Sequence, residues 1–111
     1  MEKTIMKNIE KSKILDMKDL VAYQPGQIVS KTLVQNKAVN ITLFAFAKDE
    51  EISSHESGGD AMVTVLDGVA GVTIADEEYA VSAGQTIIMP AGIAHAVMAT
   101  EQMKFLLTVV F

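Results

Sequence analysis

Cysteine is absent from the 111-residue sequence. That excludes disulfide staples, thiolate zinc sites and a thiol nucleophile, and it fits a reducing compartment. Basic charge is scarce: 9 lysines and arginines stand against 14 aspartates and glutamates, for a net charge of −5. A nucleic-acid partner would need a basic face, so none is expected. No run of like charge is long enough to act as an interaction tail. Long apolar runs are missing too, because Asp67, Asp76, Glu77 and Glu78 interrupt the hydrophobic stretches well short of the ~20 residues that span a bilayer. The opening residues, Met1 to Glu10, mix charged and apolar side chains and do not resemble a secretory signal. Internal repeats and low-complexity segments are absent as well. The expectation is a soluble cytoplasmic protein that contacts neither membrane nor nucleic acid.

What is present is apolar residues, half of the total, enough for one packed core in one domain. A domain this small buries a modest fraction of its surface, and an oligomer would help it. Residues 1–27 are expected to form an irregular or partly helical segment, with a helical turn over Asp16 to Leu20, packing on the rest of the chain or on a partner. Tyr23-Gln24-Pro25-Gly26 is a turn signal, since proline presets φ and glycine accepts a positive one. Residues 28–111 then read as strands. Ile28 to Val34 and Val39 to Ala47 are rich in β-branched and aromatic residues and flank the polar connection Gln35-Asn36-Lys37. Ser53 to Gly59 is a polar loop or short strand. Further strands are expected over Ala61 to Asp67, Val69 to Ala75, Tyr79 to Val81, Thr86 to Met89, His95 to Ala99 and Phe105 to Phe111. Turns fall at Asp76-Glu77, Ala83-Gly84 and Pro90-Ala91-Gly92. Many short strands with frequent turns predict an all-β sandwich or barrel.

One stretch is more specific. Gly84 is followed by Pro90, Gly92 and His95, and this string resembles the second conserved motif of the cupin superfamily. Upstream, Val65-Leu66-Asp67-Gly68 resembles the end of the first cupin motif. Aligned on Gly68, His55 takes the first histidine position, Ser57 the second, and Ala61 the glutamate position. Asp49 replaces the leading glycine, and Ala99 stands at the asparagine-like position after His95. Over residues 38–110 the chain is similar to small single-domain bacterial cupins (the type-2 conserved barrel) of unassigned function. The resemblance implies a double-stranded β-helix, or jelly-roll, barrel. It also implies that His55 and His95 project into that barrel, where family members hold a divalent metal with a third histidine and a glutamate.

The two histidines of the sequence therefore fall on matched positions, while the other two ligand positions are lost. Imidazole suits Fe, Mn, Ni, Cu or Zn, but two nitrogens need further donors. Asp60, Glu56 and Ser57 are the supplements at hand. Asp60 faces out on a regular strand unless a bulge after Gly58-Gly59 turns it in, and Glu56 alternates with His55 and should face away. A metal-free pocket lined by His55 and His95 is the competing reading. A general acid/base role for either histidine needs no metal. Ser57, His55 and Asp60 lack the nucleophile elbow of a catalytic triad, and Gly58-Gly59 lacks the ending of a phosphate loop.

Alternation supplies the rest of the wall. With Ala61 facing in, Val63 and Val65 face in; with His95 in, so do Val97 and Ala99. Phe44 and Phe46 share a face as an apolar floor or lid. The expected pocket is thus His55, Ser57, Ala61, Val63, His95, Val97, Phe44 and Phe46, and the small Ala61 leaves room that favours an organic ligand. Met62, Leu66 and Met98 point outward, and Leu106 to Phe111 is apolar on both faces. Such strands are covered on both sides, by the N-terminal segment or by a second subunit. A homodimer is expected, with strand exchange along Ile28 to Val34 as one mode. The function expected is small-molecule binding, and the alternative is a metal-dependent oxygenase or isomerase acting on a small organic acid or sugar.

Overall fold

Period-2 burial organises the strands of the computed structural model, which describes residues 5–111; residues 1–4 of the expected N-terminal segment lie outside them. The strands are β1 (Ile28–Gln35), β2 (Val39–Phe46), β3 (Glu51–His55), β4 (Asp60–Asp67), β5 (Val69–Ile74), β6 (Glu77–Ser82), β7 (Thr86–Met89), β8 (His95–Met98) and β9 (Met103–Val110). One 3-10 turn, Met17–Leu20, precedes them. All pairings are antiparallel. They build two sheets, ordered β1-β2-β9-β4-β7 and β3-β8-β5-β6. This is the all-β jelly roll that the motifs implied.

On β4, Ala61, Val63 and Val65 are buried and the residues between them are more exposed. They meet Val72, Val97, Met89 and Phe105 from the neighbouring strands in the core between the sheets. A second core lies on the outer face of the five-stranded sheet. There Leu33, Val34, Leu43 and Ala45 are buried with Val21, and Ile9, Met17, Leu20 and Tyr23 pack against them from the N-terminal segment. This explains why β2 is apolar on both faces: Phe44 and Phe46 face the inner core, Leu43 and Ala45 the outer one. Fully burying a leucine such as Leu33 or Leu43 stabilises the fold by about 1.5–3 kcal/mol.

Polar contacts hold the segment in place. Tyr23 Oη donates to Asp67 Oδ2 at 2.5 Å, and Lys104 Nζ donates to Lys18 O at 2.6 Å while lying 4.8 Å from the Tyr23 ring centroid. Burial and the adjacent Asp67 carboxylate both raise the Tyr23 pKa, so the phenol keeps its proton. At the outer edge, Lys7 N–H donates to Leu33 O and Asn8 Nδ2 to Thr32 O, both at 2.8 Å. The far half of β1 is thereby capped within the chain.

Several boundaries differ from the sequence expectation by one or more residues, and three of them concern pairing. The β5–β6 turn is Ala75-Asp76, with Ile74 opposite Glu77 and Ala75 at φ +53°, one residue before Asp76-Glu77. The polar strand β3 begins at Glu51, because it pairs with β8 from Glu51 opposite Met98. β9 begins at Met103, where pairing to Phe46 starts. Gly68 joins β4 to β5 at φ +73°, and a Cβ there would sit 2.5 Å from Gln102 O. Both the conformation and the approach require glycine.

Candidate functional site

Antiparallel pairing of β3 with β8 sets His55 opposite His95, after a register irregularity between Ile52 and His55. The turn before β8 is fixed by Gly92, at φ +73°, whose N–H donates to Ser57 O at 2.9 Å. It brings the Ile93 carbonyl to 3.1 Å from His95 Nδ1; His55 Nδ1 lies 2.9 Å from Ser53 O. Carbonyls only accept, so each Nδ1 is the atom that carries the hydrogen, and a neutral ring then presents its Nε2 as an acceptor. Those Nε2 atoms stand 3.2 Å apart, with the rings at 71°.

His95 is 2 % exposed and His55 is exposed. The pKa of His95 is lowered from its usual 6.5, first by burial and then by the neighbouring His55, against the opposing hydrogen bond to Ile93 O. Burial and the neighbouring ring therefore favour the neutral form of His95.

Beneath the pair lies a cavity of about 190 Å³. Its walls are Ile52 and Val97 from β3 and β8, Ala61 and Met89 from β4 and β7, and Phe105, Leu107 and Val109 from β9, with Glu56 and Ser57 beside the histidines. Ala61 pairs with both Met89 and Val109, so its short side chain sits where three strands converge.

Of the residues expected from sequence, His55, Ser57, Ala61, His95 and Val97 are at this cavity. Val63, Phe44 and Phe46 are not. Val63 points inward but lies two residues deeper, fully buried in the core. Phe44 stacks on Phe105 with centroids 5.0 Å apart and Phe46 meets Phe105 edge-on at 5.3 Å, so both back a wall residue. Asp60 does not turn inward, because its Oδ1 accepts the Ala91 N–H at 2.9 Å and braces the Pro90–Gly92 turn. Glu56, expected to face away, is part of the lining; β3 ends at His55 and the alternation ends with it. Ile52, Met89, Phe105, Leu107 and Val109 line the cavity but do not stand out in the sequence. Leu107 and Val109 share parity with Phe105, but β9 is apolar on both faces and its inner face is set only by pairing.

Among the described residues, no three histidine, aspartate or glutamate side chains gather at one point. The histidine pair is a two-donor site, with Ala61 and Ser57 where the motif has a glutamate and a histidine.

The cupin domain family matches residues 42–111. The chain is a cupin. A conserved protein of unknown function from Streptococcus pyogenes is similar to it at 48% identity, over 97% of this chain and 95% of that one, with a TM-score of 0.95. A cupin superfamily protein from Desulfitobacterium hafniense is 28% identical over 96% of this cupin and 97% of its own length, with a TM-score of 0.91. A cupin 2 conserved barrel domain protein from Leptotrichia buccalis is 40% identical over 85% of this chain and 46% of its own, with a TM-score of 0.83. No curated protein matches the sequence. Among the described residues of this cupin no helix is long and apolar enough to cross a membrane.

Proposed function

We propose that this cupin binds a small organic molecule in the cavity beneath His55 and His95. The observation that carries the reading is an apolar cavity of about 190 Å³ whose polar end is a histidine pair and whose motif glutamate is replaced by Ala61. Small-molecule sites combine such apolar walls with a few placed polar groups. Titration of metal-free protein with a panel of compact organic compounds, followed by methyl and imidazole NMR, tests it. A saturable response at Ala61, Val97 and His95 supports the proposal; a panel with no saturable response at any of them counts against it.

The second reading is a metal-dependent enzyme, an oxygenase or isomerase acting on a small organic acid or sugar. It is favoured by the two convergent Nε2 atoms 3.2 Å apart, a span that suits two imidazoles sharing one ion bound at about 2.0–2.1 Å. His55 and His95 would hold the ion, which would act as a Lewis acid, and Glu56 is the acidic residue among the described lining residues. Elemental analysis of protein purified without a histidine tag separates the two readings. Near-stoichiometric Fe, Mn, Ni, Cu or Zn, lost on His55→Ala or His95→Ala, would favour the enzyme.

A cytoplasmic homodimer completes the proposal. Val69 and Met98, each about 40 % exposed, lie on the outer side of the four-stranded sheet around the small residues Gly71 and Ala80. A second copy of the chain suits that face better than exchange along β1, whose edge is partly capped by Lys7 and Asn8.

A further inference from the structure

The histidine pair has an unusual shortage. Each ring uses its Nδ1–H on a backbone carbonyl, Ser53 O or Ile93 O. In the neutral rings, what remains is two Nε2 lone pairs that converge 3.2 Å apart. Glu56, the one acidic residue in the lining, is another acceptor when ionised. Ser57 Oγ accepts the Gly59 N–H at 3.2 Å, and among the described lining residues its hydroxyl hydrogen is the one side-chain donor not already engaged. The polar end is thus rich in acceptors and poor in donors. A ligand O–H entering there would give the buried His95 Nε2 a donor.

Size narrows the class. A dry apolar cavity of about 150 Å³ holds benzene. The cavity here, about 190 Å³, has room for a body of that size and a head group of about one or two heavy atoms. Phe105, Leu107 and Val97 offer that body an apolar surface. An anionic head would meet the Nε2 lone pairs and the Glu56 carboxylate, and would be repelled by both.

We infer that the ligand is a compact, uncharged hydroxyl compound, a phenol or a cyclic alcohol, whose O–H donates to the His55–His95 Nε2 pair while its ring lies against Phe105 and Val97. The inference rests on the reading that this cavity binds a small molecule, and it adds the head group and the charge.

The test is calorimetric titration of the metal-free full chain at pH 8 with phenol, toluene and benzoate, which share a ring and differ in the head. Phenol remains uncharged at that pH, below the usual phenolic pKa of about 10. Phenol is expected to bind about tenfold more tightly than toluene, the worth of about one net hydrogen bond, and benzoate to bind more weakly than phenol. His55→Leu, at an exposed position, is expected to reduce the preference for phenol over toluene to about threefold or less, by removal of one acceptor. Toluene or benzoate binding as tightly as phenol overturns the inference and leaves the pocket standing. If none of the three binds, the small-molecule reading fails and this inference fails with it.

Discussion

Replacing Ala61 by leucine adds about three methylenes' worth of carbon to a side chain that faces the cavity and is flanked by Met89 and Val109. If the space is there to receive it, the added carbon contributes about 2 kcal/mol of burial, and ordering the longer side chain costs about 0.5–1 kcal/mol. Ala61→Leu should therefore stabilise the protein by about 1 kcal/mol, where the same change in a filled barrel costs about 1–3 kcal/mol through overpacking. The sign of the effect, more than its size, distinguishes a cavity from a packed interior. Urea denaturation of the two proteins reads it directly, provided the slopes agree, so that the midpoint shift reports stability alone. Phenol binding should vanish in the same variant. A loss of more than about 1 kcal/mol at unchanged slope would refute the existence of usable space beside Ala61.

Three further outcomes follow from the geometry. Because the folded-state pKa of His95 lies below the usual value of 6.5, the unfolded chain binds more protons as the pH falls through that value. Stability should be flat above about pH 7, fall below about 6.5 with a slope of at most about 1.4 kcal/mol per pH unit, and level off beneath the folded pKa; His95→Gln should remove this component between pH 7.5 and 5.5 in chemical denaturation. Tyr23→Phe removes the hydrogen bond to Asp67 and should cost about 1 kcal/mol with faster hydrogen exchange at the Lys7 amide, whereas unchanged stability would show that the segment is held by packing alone. Met98→Glu places a charge on the exposed face of the four-stranded sheet and should convert a dimer to a monomer in sedimentation velocity with the strand NMR pattern intact; a dimer that persists would move the interface elsewhere.

The fold is legible in the sequence because its punctuation is strong. Thr86–Met89 stands between Gly84 and Pro90 and can be read residue for residue, and the alternation of Ala61, Val63 and Val65 gives the inner face of β4 without ambiguity. Where local chemistry is weak the boundaries slip. Ala75-Asp76 takes the β5–β6 turn without a glycine because the pairing of Ile74 with Glu77 imposes it. The site is legible at the two motif histidines and at Ala61, and less so elsewhere. Parity could not select the inner face of β9, since Leu106 and Leu107 are equally apolar; the difference is that Leu106 meets the N-terminal segment's core and Leu107 the inner one. Nor could parity place Glu56 beyond the end of β3, or show that Asp60 is held by the Ala91 amide. These depend on contacts between residues 31 or more positions apart, or on where a strand stops.

In the proposed ligand cavity, His55 Nε2 and His95 Nε2 act as acceptors at the polar end. Long-range proton–nitrogen NMR of the imidazoles at pH 8, recorded on metal-free protein with and without phenol, tests it most directly. Both rings should carry hydrogen on Nδ1, and the unprotonated Nε2 resonances should move on saturation with phenol while the Nδ1 resonances stay in place. An Nε2–H tautomer at either ring, or Nε2 resonances indifferent to phenol, would rule out an acceptor pair that binds the hydroxyl.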